Sequence, residues 1–155
     1  MATKTAFPGT TSSGDVLHSA DITKLPGGWI GYVEKTTNQT GISSITAISG
    51  LSVTVTVGTN RTILITGHFG AFDVTSNCYV KGYIREGSTT LGVFVDDNLL
   101  AGQRGSGEGS VWLQPTAGSH TYFLSMSASA GTVDLDCTAN DPGSSFILVQ
   151  DLGPA

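Results

Sequence analysis

Residues 51–69 read LSVTVTVGTNRTILITGHF, two runs in which every second residue is apolar or glycine. Successive side chains of a β-strand point to opposite faces, so this period of two predicts two strands that are each buried on one side. Gly58-Thr59-Asn60 separates the runs, and glycine and asparagine tolerate the positive φ angles of tight turns. The stretch therefore predicts a β-hairpin between two half-buried strands.

The same period of two continues through most of the remaining chain. It recurs in residues 77–86, 91–97, 109–115, 120–128, 132–139 and 144–152. Turns rich in Gly, Ser, Asn and Pro separate these segments at intervals of about 8–12 residues, the spacing of all-β sandwiches and barrels. We therefore predict about nine or ten short strands in an antiparallel jelly-roll β-sandwich that spans residues 29–155.

One glycine-rich stretch interrupts this pattern. Residues 102–110 read GQRGSGEGS and contain four glycines and no large apolar side chain. That composition is typical of loops at the protein surface. We predict a mobile surface loop that links two strands.

Residues 1–28 differ from the rest and are predicted to form an N-terminal arm with one short helix. Ser19 stands at an N-cap position, Asp21 follows in the first turn, and Pro26 ends the helical segment. A helix shorter than about 12 residues is marginal in water, so the arm must pack on a partner or on its own sandwich. The apolar residues predicted to make that contact are Phe7, Val16, Leu17 and Ile22.

The arm meets the sandwich in residues 22–33, ITKLPGGWIGYV. Two consecutive glycines permit a sharp change of chain direction, and Trp29 begins the first predicted strand. Trp29 and Ile30 occupy opposite faces of that strand, so one of them lies outside the core of a single subunit. We interpret the junction as a hinge between the N-terminal arm, which would anchor the chain, and the β-sandwich. Trp29 is then a candidate contact with the arm or with a neighbouring subunit.

The composition of the 155-residue chain fits a single folded domain. Charged residues make up 12%, and the formal net charge is -5 without a basic cluster, so a nucleic-acid partner is not expected. No apolar run is long enough to cross a bilayer, and the N-terminus lacks the hydrophobic segment of a secretory signal. We expect folding in a reducing cytosol, with Cys78 and Cys137 as buried thiols; a disulfide between them is the less favoured alternative.

Residues with the spacing of a catalytic or metal site are not found in the sequence. The three histidines lie far apart, and His68 is expected at the surface or at an interface. Asp96-Asp97-Asn98 and the pair Asp134 and Asp136 could contribute to a calcium site, but neither supplies the six or more oxygens that calcium needs. We predict no enzymatic activity, no cofactor and no bound metal.

The predicted exposed strand faces are rich in Thr, Ser and Tyr rather than in Lys and Glu. A monomeric protein usually keeps a more highly charged surface to remain soluble. A weakly charged, hydroxyl-rich surface favours packing against copies of the same chain or against a larger assembly.

Several motifs carry a resemblance to a known class of proteins. They are LPGGWIGYVEKTTNQTGIS (25–43), GLSVTVTVGTNRTILITG (50–67), IREGSTTL (84–91), PTAGSHTY (115–122) and FILVQDLGPA (146–155). With these motifs, residues 14–155 resemble small virion proteins of tailed bacteriophages, notably those of actinobacterial hosts. The later motifs resemble the TNF/C1q-like jelly roll of trimeric phage heads and capsid ornaments.

The resemblance implies a capsid decoration (cement) protein. Such a protein would be assembled in the host cytoplasm and would sit on the virion surface as a homotrimer, bound to the major capsid protein through its N-terminal arm. The arm contacts would then be Phe7, Val16, Leu17, Ile22 and Trp29. This role would involve no nucleic acid and no membrane.

Two alternatives remain open at this stage. Residues 14–28, GDVLHSADITKLPGG, also resemble the segment that precedes many tail-fibre and minor tail domains, which implies a fibre tip that binds the host surface. The chain has no heptads and no G-X-Y repeats for a fibre shaft, and this favours decoration. In a lectin of the same fold, sugars could stack on surface aromatic residues, namely Trp112, Tyr79, Tyr83 and Tyr122, beside a calcium ion at residues 96–98.

Overall fold

The computed structural model describes residues 27–137 and 144–155, which form ten β-strands. The strands are β1 (Gly28–Lys35), β2 (Gln39–Ile42), β3 (Thr46–Val57), β4 (Arg61–Val74), β5 (Cys78–Glu86), β6 (Thr89–Leu99), β7 (Arg104–Leu113), β8 (Gly118–Ala128), β9 (Val133–Asp136) and β10 (Ser145–Pro154). This confirms the prediction of an all-β sandwich. The predicted helix and Phe7, Val16, Leu17 and Ile22 lie outside the described residues.

The strands form two antiparallel sheets that pack face to face. In sheet A, β4 pairs with β7 along one edge, while its other edge pairs first with β10 and then with β9. Strand β1 flanks β10, and β2 flanks β9. Sheet B has the order β3-β8-β5-β6. Strands that follow one another in the chain therefore often lie in different sheets, as in a jelly roll.

The predicted hairpin in residues 51–69 is wrong, although both of its strands exist. Strand β3 pairs with β8 in sheet B, and β4 belongs to sheet A, so Gly58-Thr59-Asn60 carries the chain from one sheet to the other. The turn chemistry was read correctly, because Asn60 has a φ of 56°. The apolar sides of the two strands face each other across the core, which a period of two cannot distinguish from pairing side by side.

The core lies between the two sheets and is built from the alternating apolar positions. In β3 the residues with odd numbers from Leu51 to Val57 are buried, and the intervening Ser and Thr residues are exposed. The largest fully buried side chains are Tyr122, Phe69, Phe72, Ile48, Leu51, Ile63, Ile65, Ile84, Leu124, Met126, Leu135 and Ile147. Cys78 and Cys137 are both buried free thiols.

The predicted surface loop at residues 102–110 is wrong, because most of it forms strand β7. Its alternate glycines face the interior, where a Cβ atom on Gly105 would lie 2.6 Å from Phe72 and one on Gly107 would lie 2.6 Å from Val95. On Gly109 it would lie 2.7 Å from Phe94. Glycine occurs at every second position because there is no space for a side chain. That period of two was the signal for a strand.

Candidate functional site

The side of sheet A that faces away from the core carries several large apolar and aromatic residues that are exposed or half-buried. We call this surface the A face; it comprises Trp29 and Tyr32 of β1, Leu64 and His68 of β4, Trp112 of β7, and Phe146, Leu148 and Leu152 of β10. Trp112 is 75% exposed and Trp29 is 68% exposed. Large apolar side chains that cluster on a protein surface commonly mark an interaction site.

Backbone pairing places the two tryptophans at opposite edges of the A face. Trp29 pairs with Gln150, Gln150 pairs with Leu64, and Leu64 pairs with Trp112. This row crosses four strands, so the two tryptophan backbones are about 14 Å apart at the usual strand spacing. Large apolar side chains therefore lie on every strand of this row except β10, where Gln150 stands between Trp29 and Leu64.

A second row of the A face is a chain of neighbouring aromatic rings, in which Tyr32 and Phe146 are tilted and the other two pairs are stacked. Ring centroids of Trp29 and Tyr32 are 6.1 Å apart, those of Tyr32 and Phe146 are 5.9 Å apart, and those of Phe146 and His68 are 5.0 Å apart. His68 Nδ1 lies 3.4 Å from a carboxylate oxygen of Glu108. Partial burial, followed by the Glu34 carboxylate, raises the pKa of Tyr32, so its phenol stays neutral. The expectation that His68 lies on the outward side of its strand is confirmed.

The chain enters the sandwich at the same end as the tryptophan row. Gly28 has a φ of 68°, and a Cβ atom on Gly27 would lie 2.6 Å from Asp151 Oδ2, so the entry point is closely packed. Asp151 accepts hydrogen bonds from Arg61 at 2.7–3.0 Å. Gly27 and Gly28, which we call the arm root, therefore lie against a largely buried ion pair beside Trp29.

Strand β1 divides its side chains as the sequence predicted. Trp29 is exposed, whereas Ile30 is half-buried and packs against the core. Trp29 is thus placed where a neighbouring molecule could reach it, but its role in partner binding stays a prediction.

Sequence reasoning missed Tyr32 and Phe146. The continuous apolar run FILV at residues 146–149 was the available signal, since strands covered on both faces lack alternation.

The aromatic residues considered for sugar stacking do not form one site. Tyr79 and Tyr83 lie on the outer face of sheet B, Tyr79 being 57% exposed, whereas Trp112 lies on the opposite side of the sandwich. Tyr122 is fully buried, so its assignment to the surface is wrong. It is in phase with Leu124 and Met126 on the inner face of β8, and its burial and then the Glu86 charge raise its pKa to about 12.

His120 links two turns at one end of sheet B. Its Nδ1 lies 2.8 Å from a Glu86 carboxylate oxygen, and its Nε2 lies 2.8 Å from the Thr116 carbonyl oxygen. Both partners are acceptors, so both bonds form only when the ring carries two protons. The Glu86 bond and then the Thr116 bond raise the pKa of His120. With both nitrogens occupied, this histidine is a structural clamp and is not arranged as a general base.

We expect this clamp to make stability fall with rising pH. Because the folded-state pKa of His120 is raised, its contribution is fully present below the unfolded pKa of about 6.5 and is lost as pH rises through the folded value. The denaturation midpoint should therefore decrease between pH 6 and pH 9. In a His120→Gln variant the denaturation midpoint should depend less on pH. An equal dependence on pH in the variant and the wild type would contradict the role of His120 as a clamp.

Three of the four acidic residues considered for calcium binding, namely Asp96, Asp134 and Asp136, already contact other groups of the protein. Asp96 pairs with Lys81 at 3.3 Å, and Asp136 pairs with Arg104 at 2.7 Å. Asp134 Oδ1 accepts a hydrogen bond from the Gly41 backbone at 2.6 Å. Within residues 27–137 and 144–155, no three His, Cys, Asp or Glu side chains converge as metal ligands do.

An open cleft of about 350 Å³ lies next to the A face, where β4 and β7 shift register. His68, Arg104 and Ser106 line it together with backbone at residues 70–71. Arg104 is already bonded to Asp136 across the sheet.

In the described part of the chain, no helix is long and apolar enough to span a bilayer.

Comparison with known proteins identifies the fold. No protein family and no curated protein matches the sequence. Among solved structures, Eiger TNF from S. frugiperda aligns with a TM-score of 0.52 and 14% identity over 83% of this chain and 95% of that one. Murine APRIL aligns with a TM-score of 0.50 and 11% identity over 81% and 99% of the respective chains. The globular domain of zebrafish complement 1qA protein aligns with a TM-score of 0.43 and 12% identity, over 81% and 96%.

The likenesses to Eiger TNF and murine APRIL establish a jelly roll of the TNF type for the described residues. At 11–14% identity they show the fold and carry no ligand, partner or activity to this chain. The resemblance to virion proteins stays a prediction.

Proposed function

We propose that this TNF/C1q-type jelly roll is a structural virion protein, a homotrimeric capsid decoration protein. Its partners would be two further copies of itself and the major capsid protein, which the N-terminal arm would bind. The proposed role is mechanical: each trimer would bridge several capsid subunits and add contacts that must break before the shell opens. No chemical step is part of this function.

The observation that carries the proposal is the apolar A face beside the arm root. Trp29, Tyr32 and Trp112 expose large aromatic surfaces there, and truncation of buried aromatic anchors commonly costs 2 kcal/mol or more at interfaces. Burial against another copy would remove this surface from water. The same packing would bring the arms of neighbouring copies out at one end of the assembly.

The arrangement of the A face suits a ring of copies. Trp29 and Trp112, the two most exposed aromatic residues in the described part of the chain, belong to different edge strands, so the β7 edge of one copy could contact the β1 edge of the next. A contact between two different patches is heterologous and closes into a ring when the rotation allows it. A ring of three rests on the resemblance to trimeric phage ornaments.

Three arms that emerge together would explain tight capsid binding. Once one arm is bound, the others bind intramolecularly, and the effective concentration of short flexible links is in the millimolar range. Modest affinity of each arm then yields high overall avidity. The apolar residues of the arm, Phe7, Val16, Leu17 and Ile22, remain the proposed contacts, with Trp29 at the arm root.

The self-association is tested by Trp29→Ala. Sedimentation velocity of the wild type should give about three times the 15.9 kDa chain mass. Loss of about 2 kcal/mol should weaken each of the contacts between copies roughly 30-fold, so the variant should dissociate at micromolar concentration. Tyr79→Ala removes a similarly exposed aromatic from sheet B and should remain associated. A wild type that sediments as a monomer would refute the proposed trimer.

The anchoring role is tested by deleting residues 1–26. The truncated chain should retain the circular dichroism spectrum of a β-sandwich and the mass of a trimer, because the A face is untouched. It should fail to co-sediment with shells assembled from the major capsid protein. Decoration equal to that of the full-length chain would show that the arm is not the anchor.

The second candidate is a minor tail or fibre-tip protein whose jelly roll binds the host surface. It is favoured by the outer face of sheet B, where Tyr79 is exposed on the side opposite the A face. Imaging of the virion at near-atomic resolution separates the two roles. Density for this fold on the capsid lattice supports decoration, and density at the tail tip supports the alternative.

A further inference from the structure

The outer face of sheet B contains a flat group of side chains centred on Tyr79. We call it the Tyr79 platform; it comprises Tyr79 and Lys81 of β5 with Asp96 and Asn98 of β6. Tyr79 stands directly opposite Asn98, and Lys81 stands opposite Asp96. Facing side chains of antiparallel strands start about 5 Å apart, so the four form one continuous surface.

The platform is rigid on its protein side. The Tyr79 backbone donates to Ser129 Oγ at 2.9 Å, and its carbonyl accepts from the Ser129 backbone at 2.9 Å. Lys81 Nζ lies 3.3 Å from Asp96 Oδ2, which restricts both side chains. Ordering that exists before binding reduces the entropy lost when a ligand binds.

From this geometry we propose that the Tyr79 platform binds a neutral carbohydrate, with a pyranose ring stacked on Tyr79. A pyranose presents an apolar C–H surface on its ring face and hydroxyl groups around its rim. The exposed Tyr79 ring can stack on this apolar face of the sugar. Asn98 offers an amide donor and acceptor, and the Lys81–Asp96 pair offers further donors and acceptors to the rim hydroxyls.

The charges of the platform determine the class of ligand. Lys81 and Asp96 neutralise each other, so no uncompensated positive charge is available for a phosphate or carboxylate group. A protein partner usually buries a contiguous apolar centre with several large side chains, as on the A face. One aromatic ring flanked by uncharged or neutralised polar groups fits a neutral sugar better.

The inference is independent of the proposed capsid role. The platform and the A face lie on opposite sides of the sandwich, so self-association through the A face leaves Tyr79 accessible. Three copies would then present three platforms. Failure of sugar binding would leave the trimer proposal intact, and a monomeric protein could still bind the sugar.

Affinity electrophoresis of the full-length protein tests the inference. Native gels would contain dextran, arabinogalactan or hydroxyethyl cellulose, which are soluble and neutral. We expect the wild type to be retarded in at least one of these gels. Tyr79→Ala should weaken the retardation at least tenfold, whereas Tyr79→Trp should retain it because a flat ring remains. Addition of EDTA should have no effect, since the platform does not require a metal.

A matched control lies on the same sheet. Val93 is 51% exposed opposite Tyr83, about 14 Å along the strand from Tyr79, so Val93→Ala should bind like the wild type. Absence of retardation of the wild type in all three gels would overturn the inference. So would a Tyr79→Ala variant that migrates like the wild type, and so would a loss of binding in EDTA.

Discussion

Replacement of Asp151 by alanine is expected to lower the free energy of unfolding by about 3–5 kcal/mol. Asp151 accepts hydrogen bonds from Arg61, and the two side chains are only 14% and 9% exposed. Asp151 Oδ1 also accepts a bond from the Gly153 backbone at 2.9 Å. Removal of the carboxylate takes away the oxygens that the Arg61 guanidinium contacts at 2.7–3.0 Å in a site with little water. Urea unfolding followed by circular dichroism, at one fixed protein concentration, measures the loss.

The exposed Lys81–Asp96 pair provides the control for this prediction. Its side chains are 43% and 57% exposed, so Asp96→Ala should cost no more than about 1 kcal/mol. The double variant Arg61→Met/Asp151→Leu should be more stable than Asp151→Ala, because an apolar pair needs no desolvation of charge. Equal losses of unfolding free energy in Asp151→Ala and Asp96→Ala would show that burial does not make the Arg61–Asp151 pair more important than an exposed pair. Trp29 should also become more accessible to acrylamide in Asp151→Ala, since the arm root packs on Asp151.

Substitution of Gly107 by valine is expected to destabilise the sandwich by about 3 kcal/mol, the upper range for overpacking of a core. A Cβ atom at this position would lie 2.6 Å from Cγ2 of Val95, which is only 4% exposed. The neighbouring Phe94 backbone oxygen would be 3.7 Å away, so the new side chain cannot turn aside easily. Either β7 must move away from β6 or Val95 must leave its position. Thermal and urea unfolding should both show the loss.

Ser106 provides the matched control because it precedes Gly107 on the opposite face of β7. It is exposed, and Ser106→Val should change the free energy of unfolding by less than about 0.5 kcal/mol. Valine favours strands more than either glycine or serine does, so intrinsic propensity alone would predict a gain at both positions. A stable Gly107→Val protein would therefore show that the interior at β7 is less closely packed than described.

Local patterns predicted the strands well where one face is apolar and the other is polar. Strand β3 is the clearest case, because its four apolar positions from Leu51 to Val57 are all buried and the Ser and Thr residues between them are exposed. The first half of strand β7 was missed because its inward residues are glycines, which carry no hydrophobic signal, whereas its second half falls within the strand predicted at residues 109–115. Tyr122 was misplaced because a hydroxyl group suggested exposure, although its position in phase with Leu124 indicated the core.

The candidate sites were predictable only in part. The alternation of faces predicted that either Trp29 or Ile30 points away from the core, and the structure shows that it is Trp29. The continuity of the A face did not, because its members come from β1, β4, β7 and β10. The Tyr79 platform likewise depends on the register of β5 against β6, and the register is set by the whole sheet.

The sequence by itself determined which side chains point toward a core, since that choice repeats every two residues and depends on local geometry. Only the tertiary structure decided which strands pair, that β3 and β4 lie in different sheets, and which outer face remains apolar. The Arg61–Asp151 pair illustrates the reason: its members are 90 residues apart in the chain. Such contacts depend on how all the strands share one limited interior, and no local period encodes that arrangement.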